Sequence, residues 1–499
     1  MSDAAKSHPF VESAYRRLPS QFYQPVAPTP TTAPQFVVFN TKLALELGLS
    51  PDSEQSPELL AILAGDAPAS GLDNLAMAYS GHQFGQWNPR MGDGRAVMVG
   101  EIVAPDGLAY DAQLKGSGPT PFARRGDGRA TLSAMLREYI VSEAMAGLKI
   151  PTTRSLAVVA TGDAVYRDFA HPGAVLTRIA RSHIRVGSFQ YAANEDTRLE
   201  HGPVLTKALA DSCIARNYPE IAGAAEPYLA FYHAVVARQA RLIAQWMQVG
   251  FIHGVMNTDN MSVAGETIDF GPCAFMDSFS SRQTFSSIDA AGRYAFNQQG
   301  PIGAWNLARL AETLLPLFDE DRARALELAQ AALESFSTIY KAAMAQNMAR
   351  KLGLPQGGEQ NEAAIARVWQ VLQKTKPDFT LFFRRLTQVA GGAEEKAFLE
   401  LFAEKSEDIQ AEAAAFLADW RVWADKPDLA AMRGANPIII ARNHRVEQAL
   451  ESANHGDLRL LHRLCDALAH PFEEPSSENG DLENPPLPEE VVLETYCNT

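Results

Sequence analysis

Residues 253–271 read HGVMNTDNMSVAGETIDFG. A His-Gly pair, an Asn at 260 and Asp-Phe-Gly at 269–271 have the spacing of a loop that holds divalent metal on nucleotide phosphates. In loops that begin His-Gly, the next residue is ordinarily the Asp that orients the attacking hydroxyl. Here that position is Val255, which can neither accept a proton nor bind a metal. Asp259 lies beside Asn260, at the metal end of the loop. Asn260 and Asp269 are therefore read as oxygen ligands for Mg²⁺ or Mn²⁺, and Asp259 as the candidate general base. The alternative for Asp259 is an Asx-turn residue in a loop. Losing a general base costs roughly 10²- to 10⁴-fold in rate, so what replaces the missing Asp decides what chemistry is left.

Outward from this stretch, PYLAFYHAVVARQARLIAQWMQVGF (227–251) reads as one long amphipathic helix. Within the loop, MSV and TIDF read as two short strands around the turn AGE. Upstream, RAVMVGEIVA (95–104) and LAYDAQLKG (108–116) flank PDG and predict a hairpin. ATLSAMLREYIVSEAMAGL (130–148) predicts a helix with Leu132, Leu136, Tyr139, Ile140 and Met145 on one face. SLAVVA and AVYRD, joined at TGD, predict two strands, and GAVLTRIA (173–180) a third. From about 303 to 470 the pattern is helical, with breaks at Gly357-Gly358, Pro377 and Gly391-Gly392. This order predicts an α+β, protein-kinase-like two-lobe fold with a small β-rich N-lobe and a large helical C-lobe. The expected divisions are a Pro-rich leader (1–75), the N-lobe (76–185), the C-lobe with the catalytic and metal loops (186–302), a helical extension (303–470) and an acidic, flexible tail (471–499).

Lys115 ends the second strand of the hairpin, and Glu138 lies on the helix that follows. A strand lysine paired with a helix glutamate is how kinases hold nucleotide phosphates; Glu143 lies on nearly the same part of the helix, and periodicity does not choose between the two. The string GDGRA occurs at 92–96 and again at 126–130, with KGSG between. Glycine lets backbone N–H groups approach an anion, and arginine offers a bidentate fork; the alternative is two similar Asp-Gly turns. Arg178 and Arg185 fall at the inferred boundary between the lobes, placed either to bind phosphate or to pair with carboxylates.

The 499 residues carry a net charge of −15, which argues against a protein that coats nucleic acid or anionic membrane. Cys213, Cys273, Cys465 and Cys497 are far apart, without CxxC spacing, so neither a structural zinc nor a disulfide framework is expected. The opening MSDAAKSHPF has no signal-peptide pattern and no apolar run is long enough for a membrane span. A reducing cytoplasm is the expected compartment.

YSGHQFGQWNPRMGDGRA, LKGSGPTPFARRGDGRA, LREYIVSEAMAGLKIPTTRSL, HGVMNTDNMSVAGETIDFGPCAFMD, PIGAWNLARLAETLLP and NPIIIARNHRVEQAL together resemble the selenoprotein O family, known in bacteria as YdiU. The resemblance runs from about residue 75 to the C-terminus. It implies a kinase-like pseudokinase that binds ATP in reverse orientation and moves AMP onto Ser, Thr or Tyr hydroxyls of proteins. By that resemblance the nucleotide contacts are Gly92, Gly94, Arg95, Lys115, Asp127, Gly128, Arg178 and Arg185. By the same resemblance Asp259 is the proton acceptor and Asn260 and Asp269 are the metal ligands; Lys115 and Glu138 are the catalytic pair expected from the strand and helix positions. UMP transfer from UTP, a phosphotransferase and a nucleotide-binding scaffold are the competing readings. ATP and hydroxyl-bearing proteins are the expected partners of a monomer, with no nucleic acid and no membrane. The family carries a redox residue near its end, and Cys497 stands in that place here; a reversible Cys273–Cys497 disulfide is the corresponding expectation.

Overall fold

Alternating apolar and polar residues, cut by Asp-Gly turns, fold the N-terminal part of the chain into strands. The computed structural model describes residues 8–69, 71–355 and 357–495. In chain order the strands are β1 (Phe10–Val11), β2 (Tyr23–Pro25), β3 (Gln35–Phe39), β4 (Leu75–Met77), β5 (Gly81–Gln83), β6 (Gln86–Asn88), β7 (Ala96–Val103), β8 (Ala109–Lys115), β9 (Ala130–Thr131), β10 (Arg154–Tyr166), β11 (Ala170–Ala180), β12 (Phe251–Ile252) and β13 (Ala274–Phe275). One antiparallel sheet has the order β2-β4-β7-β8-β11-β10-β3, with β1 added on β7 and β9 on β11. The pairs β5–β6 and β12–β13 stand apart from it.

The expected hairpin is β7–β8, closed where Asp106 Oδ1 accepts from Leu108 N at 2.9 Å and Gly107 turns at φ 81°. Helix α3 follows the two short helices α1 (Thr41–Glu46) and α2 (Pro57–Ala64), and spans Leu132–Gly147. Thr131 caps it by accepting from Ala134 N. The stripe Leu132, Leu136, Tyr139, Ile140 and Met145 is buried, packing α3 across β10 and β11.

Three local expectations are corrected. The strands SLAVVA and AVYRD are one strand, β10; TGD is an irregularity inside it, between Ala160 and Ala164. The Thr161 carbonyl there accepts from Thr32 N and Ala33 N, so a crossing segment satisfies the bulged backbone. MSV and TIDF do not pair with each other. Ser262 bridges to Arg185 and Thr267 to Thr152, because the connecting segments take up those backbone groups. Strands β1 to β4, from the Pro-rich first 77 residues, belong to the main sheet: Val38 and Phe39 of β3 pair with Val158 and Ala157.

The rest is largely helical. The helices are α4 (Val186–Leu199), α5 (Val204–Asn217), α6 (Pro227–Val249), α7 (Gln299–Phe318), α8 (Arg322–Leu352), α9 (Asn361–Thr375), α10 (Phe379–Ala390), α11 (Lys396–Leu399), α12 (Glu407–Trp423), α13 (Leu429–Ala435), α14 (Asn443–Asn454) and α15 (Arg459–Leu468). The sequence breaks fall between α8 and α9, α9 and α10, and α10 and α11. Helix α6 packs on α7 and α8; α14 and α15 return to pack on α3. Among the described residues no helix is long and apolar enough to cross a membrane. The acidic tail, expected to be disordered, lies on the helical region. Leu482 is buried, Arg385 and Arg463 pair with Glu483 and Asp481, and Thr495 N donates to Phe285 O at 2.7 Å. The carboxylates that suggest disorder are the groups that anchor it.

Candidate active site

Sheet register places the first cations. Gln113 of β8 stands directly opposite Arg178 of β11, and Lys115 lies two residues along on the same face. The Arg178 guanidinium donates Nη2 to Gln113 Oε1 at 2.5 Å and Nη1 to Asp269 Oδ1 at 2.6 Å. Its Nε donates to His183 Nε2 at 3.3 Å. Burial lowers the His183 pKa to about 4, so the ring is neutral. An Nε2 that accepts requires the proton on Nδ1, which faces Asp111 Oδ2 at 3.4 Å. Asp111 and His183 thus fix the orientation of Arg178 from behind.

Lys115 Nζ reaches both Glu138 Oε1 and, at 2.8 Å, Asp269 Oδ1. The choice between the two glutamates is therefore settled by packing. Glu138 faces the lysine, while Glu143 binds Arg154 through both oxygens at 2.9 and 2.7 Å. Arg185, almost fully buried, donates Nη1 to Asp269 Oδ2 at 3.2 Å and to the Asp259 carbonyl at 3.1 Å. Its guanidinium lies 4.8 Å from the centre of the Tyr79 ring. Burial would raise the Asp269 pKa, but Arg178, Lys115 and Arg185 outweigh it and hold the carboxyl well below its ordinary value. Asp269 has φ 63°, a left-handed conformation uncommon for a residue with a side chain. Those three cations hold it there.

The loop before it is fixed by backbone contacts. His253 is buried and its Nε2 donates to Ile268 O at 2.9 Å, while Nδ1 accepts from Val255 N at 3.4 Å. Gly254 has φ 79°, and a Cβ there would stand 2.7 Å from the Pro272 carbonyl oxygen. Asn260 donates Nδ2 to Val255 O at 2.9 Å, and Asn260 lines the cavity. Asp259 is 6% exposed. Its Oδ2 accepts only a long bond, 3.5 Å, from Gln83 Nε2, and its buried Oδ1 has no partner among the described residues. Burial, with a smaller contribution from Asp269, raises its pKa to about 6 against the opposing pull of Arg185.

Gly94, Arg95, Lys115, Glu138, Arg178, Arg185, Asp259, Asn260 and Asp269 line one cavity of about 400 Å³, and Val255 lines it too. Gly92 sits behind it: at φ 131°, a Cβ would come within 2.4 Å of Phe122 Cγ. Asp127 and Gly128 lie apart from the lining. Asp127 pairs with Arg167 at 2.8 and 3.1 Å, and Gly128 O accepts from Gly118 N at 3.1 Å. Cys273 is buried two residues beyond Gly271, and Cys497 lies outside the described residues.

Tyr79, Gln83, Asp93 and Asn257 line the same cavity and were not singled out from sequence, although Asp93 belongs to the first GDGRA string. A further residue missed is Arg137, beside Glu138. Its buried guanidinium donates to Gly271 O (3.3 Å), Cys273 O (2.8 Å), Asn443 Oδ1 (2.7 Å) and Glu447 Oε1 (2.7 Å). One side chain thereby joins α3, the segment after Asp269 and α14. Its partners lie more than a hundred residues away, so no local signal marks it.

The family model described as Protein adenylyltransferase SelO matches residues 6–469. The Protein nucleotidyltransferase YdiU of Bradyrhizobium sp. strain BTAi1 is 50% identical over 496 residues, covering 98% of this chain and 99% of the relative. The protein of the same name from Rhodopseudomonas palustris strain BisB5 is also 50% identical, over 499 residues, with the same coverage. That from Bacillus mycoides strain KBAB4 is 46% identical over 498 residues, covering 98% of each chain. A family match over residues 6–469, which spans the segments that line the cavity, together with these nearly full-length identities, places the chain in the SelO/YdiU family of protein nucleotidyltransferases.

Proposed function

We propose that this chain is a protein adenylyltransferase of kinase-like, two-lobe fold, with residues 76–185 and 186–302 as the lobes and 303–470 as a helical extension. It transfers AMP from ATP to a Ser, Thr or Tyr hydroxyl of a protein. The observation that carries this reading is the pairing of Asp259, buried with a partnerless Oδ1 and a pKa raised to about 6, with a separate three-cation cluster on Asp269 in the same cavity. A carboxylate of that pKa is ionised at neutral pH and basic enough to take a proton.

Asp259 Oδ1 accepts the hydroxyl proton as the hydroxyl oxygen bonds to the α-phosphorus. The bond from that phosphorus to the bridging oxygen of the β-phosphate breaks, and pyrophosphate leaves. Lys115, Arg178 and Arg185 stabilise the charge that develops on the leaving group, as preplaced cations do. Reversed binding of ATP accounts for Val255: when the α-phosphate is attacked, the usual catalytic position has no role. Asn260 and Asp269 fit Mg²⁺ or Mn²⁺, since one offers an amide oxygen and the other a carboxylate held ionised. The metal would neutralise phosphate charge when bound. Asp127 and Gly128 are proposed as nucleotide contacts by family likeness.

The test is incubation with α-labelled and γ-labelled ATP, wild type against Asp269→Ala, followed by intact-mass measurement of the acceptor. Label from the α position and a mass gain of one adenylyl group are expected. Label from the γ position with a phosphoryl mass gain would establish a phosphotransferase instead. The relatives are named nucleotidyltransferases without a specified base, so UTP competes in the same assay.

A Cys273–Cys497 disulfide is proposed as a redox tie between the tail and the segment after Asp269. Thr495, two residues before Cys497, donates Oγ1 to the carbonyl of Pro272, the neighbour of Cys273, at 2.6 Å. Non-reducing peptide mapping that finds no linked species under oxidising conditions would remove this tie. We further propose a cytoplasmic location.

A further inference from the structure

Beside the cavity, the hairpin β5–β6 folds down onto the loop that carries Asp259. Its turn residues Phe84 and Gly85 both have positive φ, 51° and 80°, as a tight two-residue hairpin requires. His82 N donates to Thr258 Oγ1 at 2.7 Å, and Phe84 N to Asn257 Oδ1 at 3.0 Å. The hairpin is therefore fixed relative to the base.

Its outer side builds an aromatic and cationic surface that the transfer reaction does not use. The His82 ring lies 5.0 Å from Trp87 and 5.3 Å from Trp305. Trp305 carries two guanidinium groups against its ring, Arg293 at 4.9 Å and Arg309 at 5.0 Å. Arg309 is paired with Glu312 at 2.6 Å. The Arg293 backbone N donates to Asp289 Oδ1 at 2.9 Å, while among the described residues its buried Nε has no hydrogen-bond partner. At the lip of the cavity Ile288 is 65% exposed. In a chain of net charge −15, a guanidinium stacked on tryptophan with its Nε unpartnered is a surface that a negatively charged partner complements.

The spacing says where that charge belongs. Gln83 Nε2 is 3.5 Å from Asp259 Oδ2, and a Cβ on Gly85, two residues further, would stand 3.5 Å from Arg293 Cζ. An extended chain advances about 3.3 Å per residue. An acceptor segment laid along the hairpin with its hydroxyl at Asp259 therefore meets Arg293 within a few residues. We propose that the β5–β6 hairpin with Trp305 and Arg293 is the acceptor-docking surface, and that it selects polypeptides bearing an Asp or Glu two or three positions from the modified hydroxyl. This rests on the adenylyltransferase reading and adds the acceptor class to it.

The experiment uses the full chain, ATP and synthetic Ser peptides with Asp, Asn or Lys two or three positions to either side. Wild type is compared with Arg293→Ala, Arg293→Glu and Arg293→Lys. For wild type, kcat/KM favours the Asp peptide over the Asn peptide by about five- to tenfold, through peptide KM. Arg293→Ala loses that preference, Arg293→Glu turns it toward the Lys peptide, and Arg293→Lys restores part of it. Thermal stabilisation by ATP, measured on each variant, reports that the nucleotide site is intact. Equal transfer to Asp and Asn peptides by wild type overturns the inference alone, as does an Asp preference that survives Arg293→Glu. No nucleotide transfer to any peptide or protein acceptor removes the enzymatic reading, and the inference with it.

Discussion

Replacing Asp259 by Asn should make the protein more stable at neutral pH while removing its transferase activity. The side chain is buried, and its pKa lies at about 6 rather than the ordinary 3.8. A folded-state pKa above the unfolded value means that the folded chain binds more protons between the two. Stability therefore falls as pH rises from about 4 to about 6, and the loss persists above that window. At 1.36 kcal/mol per pH unit, keeping the carboxylate ionised costs about 3 kcal/mol at pH 7.5 and about half of that at pH 5. Asparagine has the same shape without the charge, so it removes the cost. Thermal unfolding, followed by fluorescence at pH 7.5 and pH 5.0, should show Asp259→Asn melting a few degrees above wild type at the higher pH. The gap should shrink at the lower pH. Transfer activity should drop by roughly 10²- to 10⁴-fold. A variant that melts at or below wild type at pH 7.5, or a gap independent of pH, would refute the claim that this carboxylate is held charged against its surroundings.

Three further outcomes follow from the same geometry. Because Asp259 must be ionised to take a proton, AMP incorporation measured against pH should fall about tenfold per unit below pH about 6; a rate flat to pH 5 would assign the proton elsewhere. Arg137→Met strips four acceptors of their donor and should lower unfolding stability in urea by about 3 kcal/mol. It should also raise the KM for ATP, since the helix that carries Glu138 loses its tie to Gly271. Asp269→Asn leaves Lys115, Arg178 and Arg185 without their shared counter-charge. Inorganic pyrophosphate should raise the melting temperature of this variant more than that of wild type; equal shifts would show that the three cations do not form an anion site.

The sequence by itself determined the parts whose information is local. The spacing of His253, Gly254, Asn260 and Asp269 singles out the loop whose Asn260 and Asp269 line the cavity. The Asp-Gly turn closes β7–β8 and brings Lys115 to a strand end, and the apolar stripe of α3 follows from a period of 3.6 residues. The six quoted segments suffice for the family. Tertiary structure decided what depends on which distant group arrives at a side chain. Glu138 rather than Glu143 meets Lys115 because Arg154 occupies Glu143. TGD is a bulge rather than a turn because residues 32 and 33 supply its hydrogen bonds. Asp127 shares a sequence string with the cavity residues but is drawn away by Arg167. Asp259 acquires its raised pKa only through burial, and Arg137 becomes a tie only because α14 returns to α3. Periodicity and motif spacing report what a few neighbouring residues favour, whereas the pKa of a carboxyl and the partner of a guanidinium are set by groups far away along the chain, such as Arg185 for Asp269 and Asn443 for Arg137.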